Sequence, residues 1–251
     1  MNRTLELIRE MRMSGMADAL ITQQEQPATY QEMAFEERLL LLLDQEHSWR
    51  NGNRHARLLR QAKLRLNAHL KDIDYQHSRG LNKSQMAELV QLQWLDQKQN
   101  LLISGPCGSG KTWLACALAQ AACQKGHSCR YYRIRRMMRE LEQAKADGSY
   151  PKVLKQIARY QLLILDDWGL EPLQGGQRND LMEIMDDRHQ NSSTLVISQL
   201  PTTEWYHSIG DSTIADAILD RLMHNAHRLN LKGESMRKKA GEKLAQNEHL
   251  S

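Results

Sequence analysis

The stretch Leu101-Leu102-Ile103-Ser104-Gly105-Pro106-Cys107-Gly108-Ser109-Gly110-Lys111-Thr112 decides the fold of this chain. Its first three residues read as an apolar strand, Gly105 to Thr112 satisfy the pattern GxxxxGK[ST], and Leu114-Ala115-Cys116-Ala117-Leu118-Ala119 continues as a helix. Strand, glycine-rich turn and helix in that order make a phosphate loop. Glycines let the backbone fold around phosphate oxygens, so that successive N–H groups and a helix N-terminus meet negative charge. Gly105, Pro106, Cys107, Gly108, Ser109 and Gly110 are therefore expected to contact a nucleotide. The spacing predicts that Lys111 reaches the β- and γ-phosphates of a nucleotide and that Thr112 ligates Mg2+.

Downstream, the pattern alternates: strand 100–104, helix 111–124, strand 129–134, helix 135–146, strand 161–165, helix 176–189, strand 194–199 and helix 213–228. Strands separated by helices predict an α/β domain with a parallel sheet covered on both faces. Leu162-Leu163-Ile164-Leu165 runs into Asp166-Asp167, as expected where a buried central strand ends at the ligand edge of the sheet. Asp166 is expected to hold Mg2+ through water, and Asp167 to polarise the attacking water, because phosphoryl transfer needs positioning and one well-placed acceptor. A turn or helix cap is the alternative for such an acidic pair. Gln199, at the end of the strand 194–199, is placed to contact the γ-phosphate or the water, with capping or turn formation an equal alternative.

Upstream, residues 1–75 read as helical, with Leu5, Ile8 and Met11, then Met16, Ala19 and Leu20, then Phe35, Leu39, Leu42 and Leu43 at three-to-four spacing. Pro27 separates the first helix from the second, which is expected to start near Tyr30. Asp72 to Gly80 reads as a connector, followed by a helix over 84–95, and the boundary is placed near residue 76. The chain is thus a small all-helical domain, 1–75, before a nucleotide-binding domain, 76–251.

Between Glu46 and Asp72 stand Arg50, Arg54, Arg57, Arg60, Lys63, Arg65 and Lys71, with no acidic residue. Arg50, Arg54, Arg57 and Arg60 would line one helical face. A solvated face is the alternative to a phosphate-contacting one. A second concentration, Arg130, Arg133, Arg135, Arg136 and Arg139, surrounds Tyr131 and Tyr132. It suits DNA backbone contact, against solvation or pairing with Glu140 and Glu142. Neither patch resembles a base-reading motif, so recognition of backbone and deformability is expected.

Composition excludes several classes. With 251 residues, 41% hydrophobic and 25% charged, the chain is ordinary globular material. Its apolar runs fall far short of the roughly 20 residues of a membrane helix. Glu6, Arg9, Glu10 and Arg12 interrupt any secretory core near the N-terminus, so a cytoplasmic protein is expected. Four cysteines without a CxxC pair suggest neither a disulfide framework nor a zinc site. The net charge of +4 is too mild to indicate a nucleic-acid partner without the clustering described above.

Taken together, these motifs resemble the AAA+ ATPases, and more narrowly the IstB-like transposition helpers, relatives of the DnaC-type helicase loaders. The resemblance spans nearly the whole chain. It rests on Met13-Ser14-Gly15-Met16-Ala17-Asp18-Ala19-Leu20, Phe35-Glu36-Glu37-Arg38-Leu39, Ala62-Lys63-Leu64, the phosphate loop, Asp166-Asp167-Trp168-Gly169, Asp220-Arg221-Leu222 and Leu231 to Arg237. It implies an ATPase that forms a homo-oligomeric ring or spiral on duplex DNA, bends it, and recruits or activates a cognate transposase. It further implies that Arg221 is an arginine finger reaching a neighbouring subunit's nucleotide and that Arg237 is a second sensor arginine near the γ-phosphate. Two positions depart from the family pattern: Cys107 replaces a small or apolar loop residue, and Gln199 replaces the usual Asn of the first sensor. A helicase loader is the nearest alternative function, and a metabolic P-loop kinase that works without DNA is an alternative from another class.

Overall fold

The computed structural model describes residues 3–75 and 80–233. The chain forms two compact units, Met1–Arg57 and Leu58–Ser251.

The first unit contains α1 (Arg3–Glu10), α2 (Ser14–Glu25), a short α3 (Pro27–Tyr30) and most of α4 (Phe35–Ala62), which continues across the division. Pro27 opens α3, where a missing N–H costs no helical hydrogen bond. Gly15 lets α2 lie against α4: a Cβ there would stand 2.7 Å from that of Trp49 and 2.8 Å from the Gln45 carbonyl oxygen. Buried Glu46 accepts from the Met16 N–H at 3.1 Å, satisfying an orphan donor in the first turn of α2. The second long helix starts at Phe35 rather than near Tyr30, since Pro27 begins a separate turn before it.

The second unit contains α5 (Lys83–Gln91), α6 (Gln93–Asp96), β1 (Asn100–Ser104), α7 (Lys111–Gln124), β2 (Cys129–Arg133), α8 (Ile134–Asp147), α9 (Tyr150–Arg159) and β3 (Leu162–Trp168). It continues with α10 (Gly175–Arg188), β4 (Ser193–Ser198), α11 (Trp205–Ile209), α12 (Ser212–Met223) and β5 (Ala226–Asn230). All five strands are parallel, in the order β2-β3-β4-β1-β5. This is an α/β domain with a parallel sheet covered on both faces.

Alternation along the strands builds two cores, one on each face of the sheet. Leu101, Ile103, Leu162, Ile164, Leu195 and Ile197 face α5, α6 and α7. Leu102, Leu163, Leu165 and Val196 face α8, α9, α10 and α12. Both faces of each central strand are buried, which explains their continuous apolar runs.

Several elements differ from the sequence expectation. The helix expected over 213–228 ends at Met223, and Ala226–Asn230 forms an edge strand in which Leu229 alone is buried. Its polar residues gave no strand signal. Helix α9 was absent from the expected pattern, although Pro151 is tolerated in its first turn and Leu154 and Ile157 are buried. The helix expected over 84–95 breaks at Leu92, whose φ is +63°. The boundary expected near residue 76 falls on residues outside those described, whereas the compact units divide between Arg57 and Leu58. Leu58, Ala62, Ala68 and Ile73 belong to the α7-side core, which is why residues 58–75 go with the second unit.

Candidate nucleotide site

The phosphate loop leaves the carboxyl end of β1. Gly105, Gly108 and Gly110 have φ of 144°, 80° and 90°, conformations open to glycine and rarely to other residues. At Gly105 crowding adds to the requirement, because a Cβ would lie 2.3 Å from the Leu231 carbonyl oxygen. That approach is fixed by the Leu231 N–H donating to Ser104 at 2.8 Å. Edge strand β5 therefore holds the base of the loop.

Lys111 donates to the carbonyl oxygens of Gly105 and Pro106 at 2.6 and 2.7 Å, curling the loop around its ammonium. Burial lowers the Lys111 pKa, while Cys107, Asp166 and Asp167 act to raise it. Thr112 donates from Oγ1 to Asp166 Oδ2 at 2.8 Å. Asp166 is almost fully buried and also accepts from Tyr131 Oη at 2.6 Å and from the Asp167 N–H at 2.8 Å. Burial, followed by the hydrogen bond to Asp166, raises the Tyr131 pKa, so this phenol stays a donor across the physiological range. Asp167 has φ +63° at the irregularity where β3 passes out of register with β4 between Leu165 and Trp168. The bulge turns its side chain out of the sheet, where Arg133 Nε lies 3.5 Å from Oδ2.

Gly108, Gly110, Lys111, Thr112, Asp166 and Asp167 line a cleft of about 650 Å³, with Gln199 beside them just beyond the end of β4. The hydroxyl of Thr112 and the carboxylate of Asp166 are hard oxygen donors of the kind Mg2+ takes, and their 2.8 Å separation brings them to one point. Among the described residues no group of three or more His, Cys, Asp or Glu suits a metal ion. A magnesium ion at this point would therefore draw its remaining ligands from phosphate and water.

The basic residues divide. Arg65 and Arg133, grouped by sequence with the DNA contacts, line the cleft. Arg50 donates to Glu46 at 2.5 Å. Arg54, Arg57, Arg60 and Lys63 are exposed on or just beyond α4, and Arg136 and Arg139 are exposed on α8. Arg135 pairs with Glu171 at 2.7 Å. Arg130 is buried, donating to the Gln61 carbonyl at 3.0 Å and stacking 4.7 Å over the Tyr132 ring. It is a structural residue. Cys107 is exposed on the loop, and Arg237 lies outside the described residues.

Arg221 stands at the opposite edge of the sheet. The carbonyl oxygens of Arg221 and Leu222 accept from Asn100 Nδ2 at 3.0 and 3.1 Å, and Asn100 opens the strand whose far end carries the phosphate loop. The Arg221 guanidinium pairs with Asp186 and donates to the Ala217 carbonyl at 2.8 Å.

Sequence reasoning missed Tyr131 as a partner of Asp166 and missed the cleft position of Arg65. For Tyr131 a signal existed: its strand precedes the carboxylate strand, and parallel neighbours bring their ends together. For Arg65 none did, because the run of basic residues reads the same whichever way one of them turns.

An insertion-sequence ATP-binding protein of Sinorhizobium fredii is 46% identical to this chain over 238 residues, covering 94% of this chain and 96% of that protein. The ATP-binding protein of insertion sequence IS1162 from Pseudomonas fluorescens is 45% identical over 201 residues, covering 80% and 87%. The DnaC helicase loader shares the fold, with a TM-score of 0.55 at 21% identity over 68% of this chain and 100% of that chain. The IstB-like ATP binding protein family matches residues 6–244, and this chain, with its phosphate loop and paired carboxylates, belongs to that family.

Proposed function

We propose that this protein is a magnesium-dependent ATPase that assembles on duplex DNA and serves a transposase as its helper, with hydrolysis controlling assembly. The observation that carries the reading is that Arg221 and the phosphate-loop cleft stand at opposite edges of the sheet. Lys111, Thr112, Asp166 and Asp167 converge at the carboxyl edge of the sheet, and Arg221 lies at the amino edge. An arginine so placed serves the nucleotide of another copy rather than its own. Membership of a family of ATP binding proteins, with relatives named for insertion sequences, supports the transposition context.

In this reading the loop amides and Lys111 hold the triphosphate, and Asp167 orients the attacking water. Thr112 and Asp166 hold Mg2+, which when bound neutralises charge on the β- and γ-phosphates. Gln199 lines the cleft where a contact to the γ-phosphate or the water is made. Arg221 of a neighbouring copy stabilises the transferring phosphoryl group, so turnover requires association. Arg237 is proposed to act as a second sensor.

Arg50, Arg54, Arg57, Arg60, Lys63, Arg135, Arg136 and Arg139 are the proposed DNA backbone contacts. Bending a duplex over 20–30 base pairs costs roughly 1–6 kcal/mol, which many weak phosphate contacts across several copies offset and one copy does not.

Sedimentation of the protein with duplex DNA and a non-hydrolysable ATP analogue tests the proposal. Nucleotide-dependent assembly is expected, absent in Lys111→Ala, and the triple variant of Arg54, Arg57 and Arg60 to Ala should lower the salt slope of DNA binding by about 3. A chain that hydrolyses ATP at full rate as a monomer and ignores DNA overturns it. The shared fold with DnaC favours a helicase loader as the second reading, and retention of replicative helicase but no transposase in a pull-down would select it.

A further inference from the structure

Arg65 stands three residues beyond Ala62, the end of α4, and its neighbours Leu66, Asp72 and Asp74 form part of the cleft wall. Its Nη1 is 4.0 Å from Asp166 Oδ2, the oxygen that already accepts from Thr112 and Tyr131. The Arg65 side chain is 37% exposed, whereas that of Asp166 is 3% exposed. A separation of 4.0 Å is beyond hydrogen-bond range, so little holds the guanidinium on this carboxylate. Lys145, by contrast, donates to Asp180 at 2.6 Å.

The charges of the cleft give this cation a task. Among the described lining residues, the cations are Arg65, Lys111 and Arg133. A triphosphate carries a charge of about −2 even as its magnesium complex, and these three cations are the side chains that can meet it. Lys111 already donates to two loop carbonyls and Arg133 lies beside Asp167. Arg65 faces Asp166 and the phenol of Tyr131, and a guanidinium fork matches phosphate oxygens better than a carboxylate 4.0 Å away.

We propose that Arg65 binds phosphate oxygens of the nucleotide held in its own subunit, exchanging its loose partner Asp166 for the ligand. The basic run that follows Glu46 is then split by function: the α4 arginines face outward and Arg65 serves the nucleotide. The inference rests on the nucleotide reading of the cleft.

Titration of a fluorescent ATP analogue with Mg2+ into the full chain, alongside duplex DNA binding over a series of salt concentrations, tests it on Arg65→Ala and Arg65→Lys. Lys111→Ala serves as the control. Arg65→Ala should weaken nucleotide binding by about tenfold, the scale of one charge-assisted contact, with Arg65→Lys recovering part of the loss and the DNA salt slope unchanged in both. Parental nucleotide affinity in Arg65→Ala, while Lys111→Ala fails to bind, overturns the proposal. So does an Arg65→Lys variant no better than Arg65→Ala, or a DNA salt slope that falls by about one. If Lys111→Ala also binds like the parent, it is the nucleotide reading of the cleft that has failed.

Discussion

The two edges of the sheet both concentrate arginine, and they treat it in opposite ways. At the carboxyl edge, Arg65 and Arg133 lie 4.0 and 3.5 Å from carboxylates in an open cleft. At the amino edge, Arg188 is 1% exposed and has no carboxylate partner among the described residues: it donates to the carbonyl oxygens of Ile157, Ala158, Tyr160 and Ser193 and to Thr194 Oγ1. Backbone carbonyls cannot leave without unfolding the segment that carries them. Carboxylates at the rim of a cleft can exchange their cation for a ligand. Arginine bound to carbonyls is thus part of the architecture, and arginine beside the carboxylates of an open cleft is available for chemistry.

Arg221 is the intermediate case, with one carboxylate and one carbonyl as partners, and it bears the largest prediction. If it completes a neighbour's site, Arg221→Ala should slow hydrolysis by the assembled protein ~10³-fold or more, about 4 kcal/mol of transition-state stabilisation, with nucleotide binding by the lone chain within twofold. Mixing Arg221→Ala with Lys111→Ala should restore turnover, because one variant supplies the intact nucleotide site and the other the arginine. Weakened nucleotide binding in Arg221→Ala would place the residue at its own site and erase the contrast between the edges.

Arg188 is next. Arg188→Met keeps the length and apolar bulk of the side chain but strips partners from four carbonyls and one hydroxyl that close the end of α9 and the start of β4. A loss of about 3–5 kcal/mol in urea unfolding of the full chain is expected. Arg188→Lys should recover little, since an ammonium has three donors and no planar fork. A loss below about 1 kcal/mol would mean that water satisfies these acceptors and that the arginine is dispensable.

The contrast between the edges also explains what the sequence could convey. The phosphate loop is legible because glycine spacing, Lys111 and Thr112 follow one another along the chain and their chemistry is local. The core strands are legible because burial on both faces writes itself as Leu101 to Ile103 and Leu162 to Leu165. Edge strand β5 is not, for Ala226-His227-Arg228-Leu229-Asn230 buries one side chain and takes its hydrogen bonds from β1. The fate of each arginine is the least legible of all. Arg65, Arg130, Arg133 and Arg188 differ in neighbours that lie from 2 to 101 residues away along the chain, Tyr132 for Arg130 and Asp166 for Arg65, and a run of like charges carries no mark of which member turns inward.

Tyr131 offers a finer test at the carboxyl edge. Its phenol donates to the Asp166 oxygen that Thr112 also uses, so Tyr131→Phe removes one restraint on that carboxylate without changing charge. The half-saturating Mg2+ concentration for ATP-analogue binding should rise by about fivefold, near 1 kcal/mol, with global stability changed by less than the Arg188 variants. An unchanged Mg2+ requirement would reduce Tyr131 to packing.

The smallest effect belongs to Arg135, which pairs with Glu171 at 2.7 Å while both side chains are more than half exposed. An exposed ion pair gains little in water and spends side-chain entropy to hold its geometry. Arg135→Ala should therefore leave unfolding stability within about 0.5 kcal/mol of the parent. Its DNA affinity is the informative readout. If Arg135 is a backbone contact, Glu171 competes with DNA phosphate for it, and Glu171→Gln should strengthen DNA binding at low salt while Arg135→Ala lowers the salt slope by about one. Should Glu171→Gln leave DNA affinity unaltered at every salt concentration, the pair is ordinary surface chemistry, and the arginines that meet DNA are those of α4 together with Arg136 and Arg139.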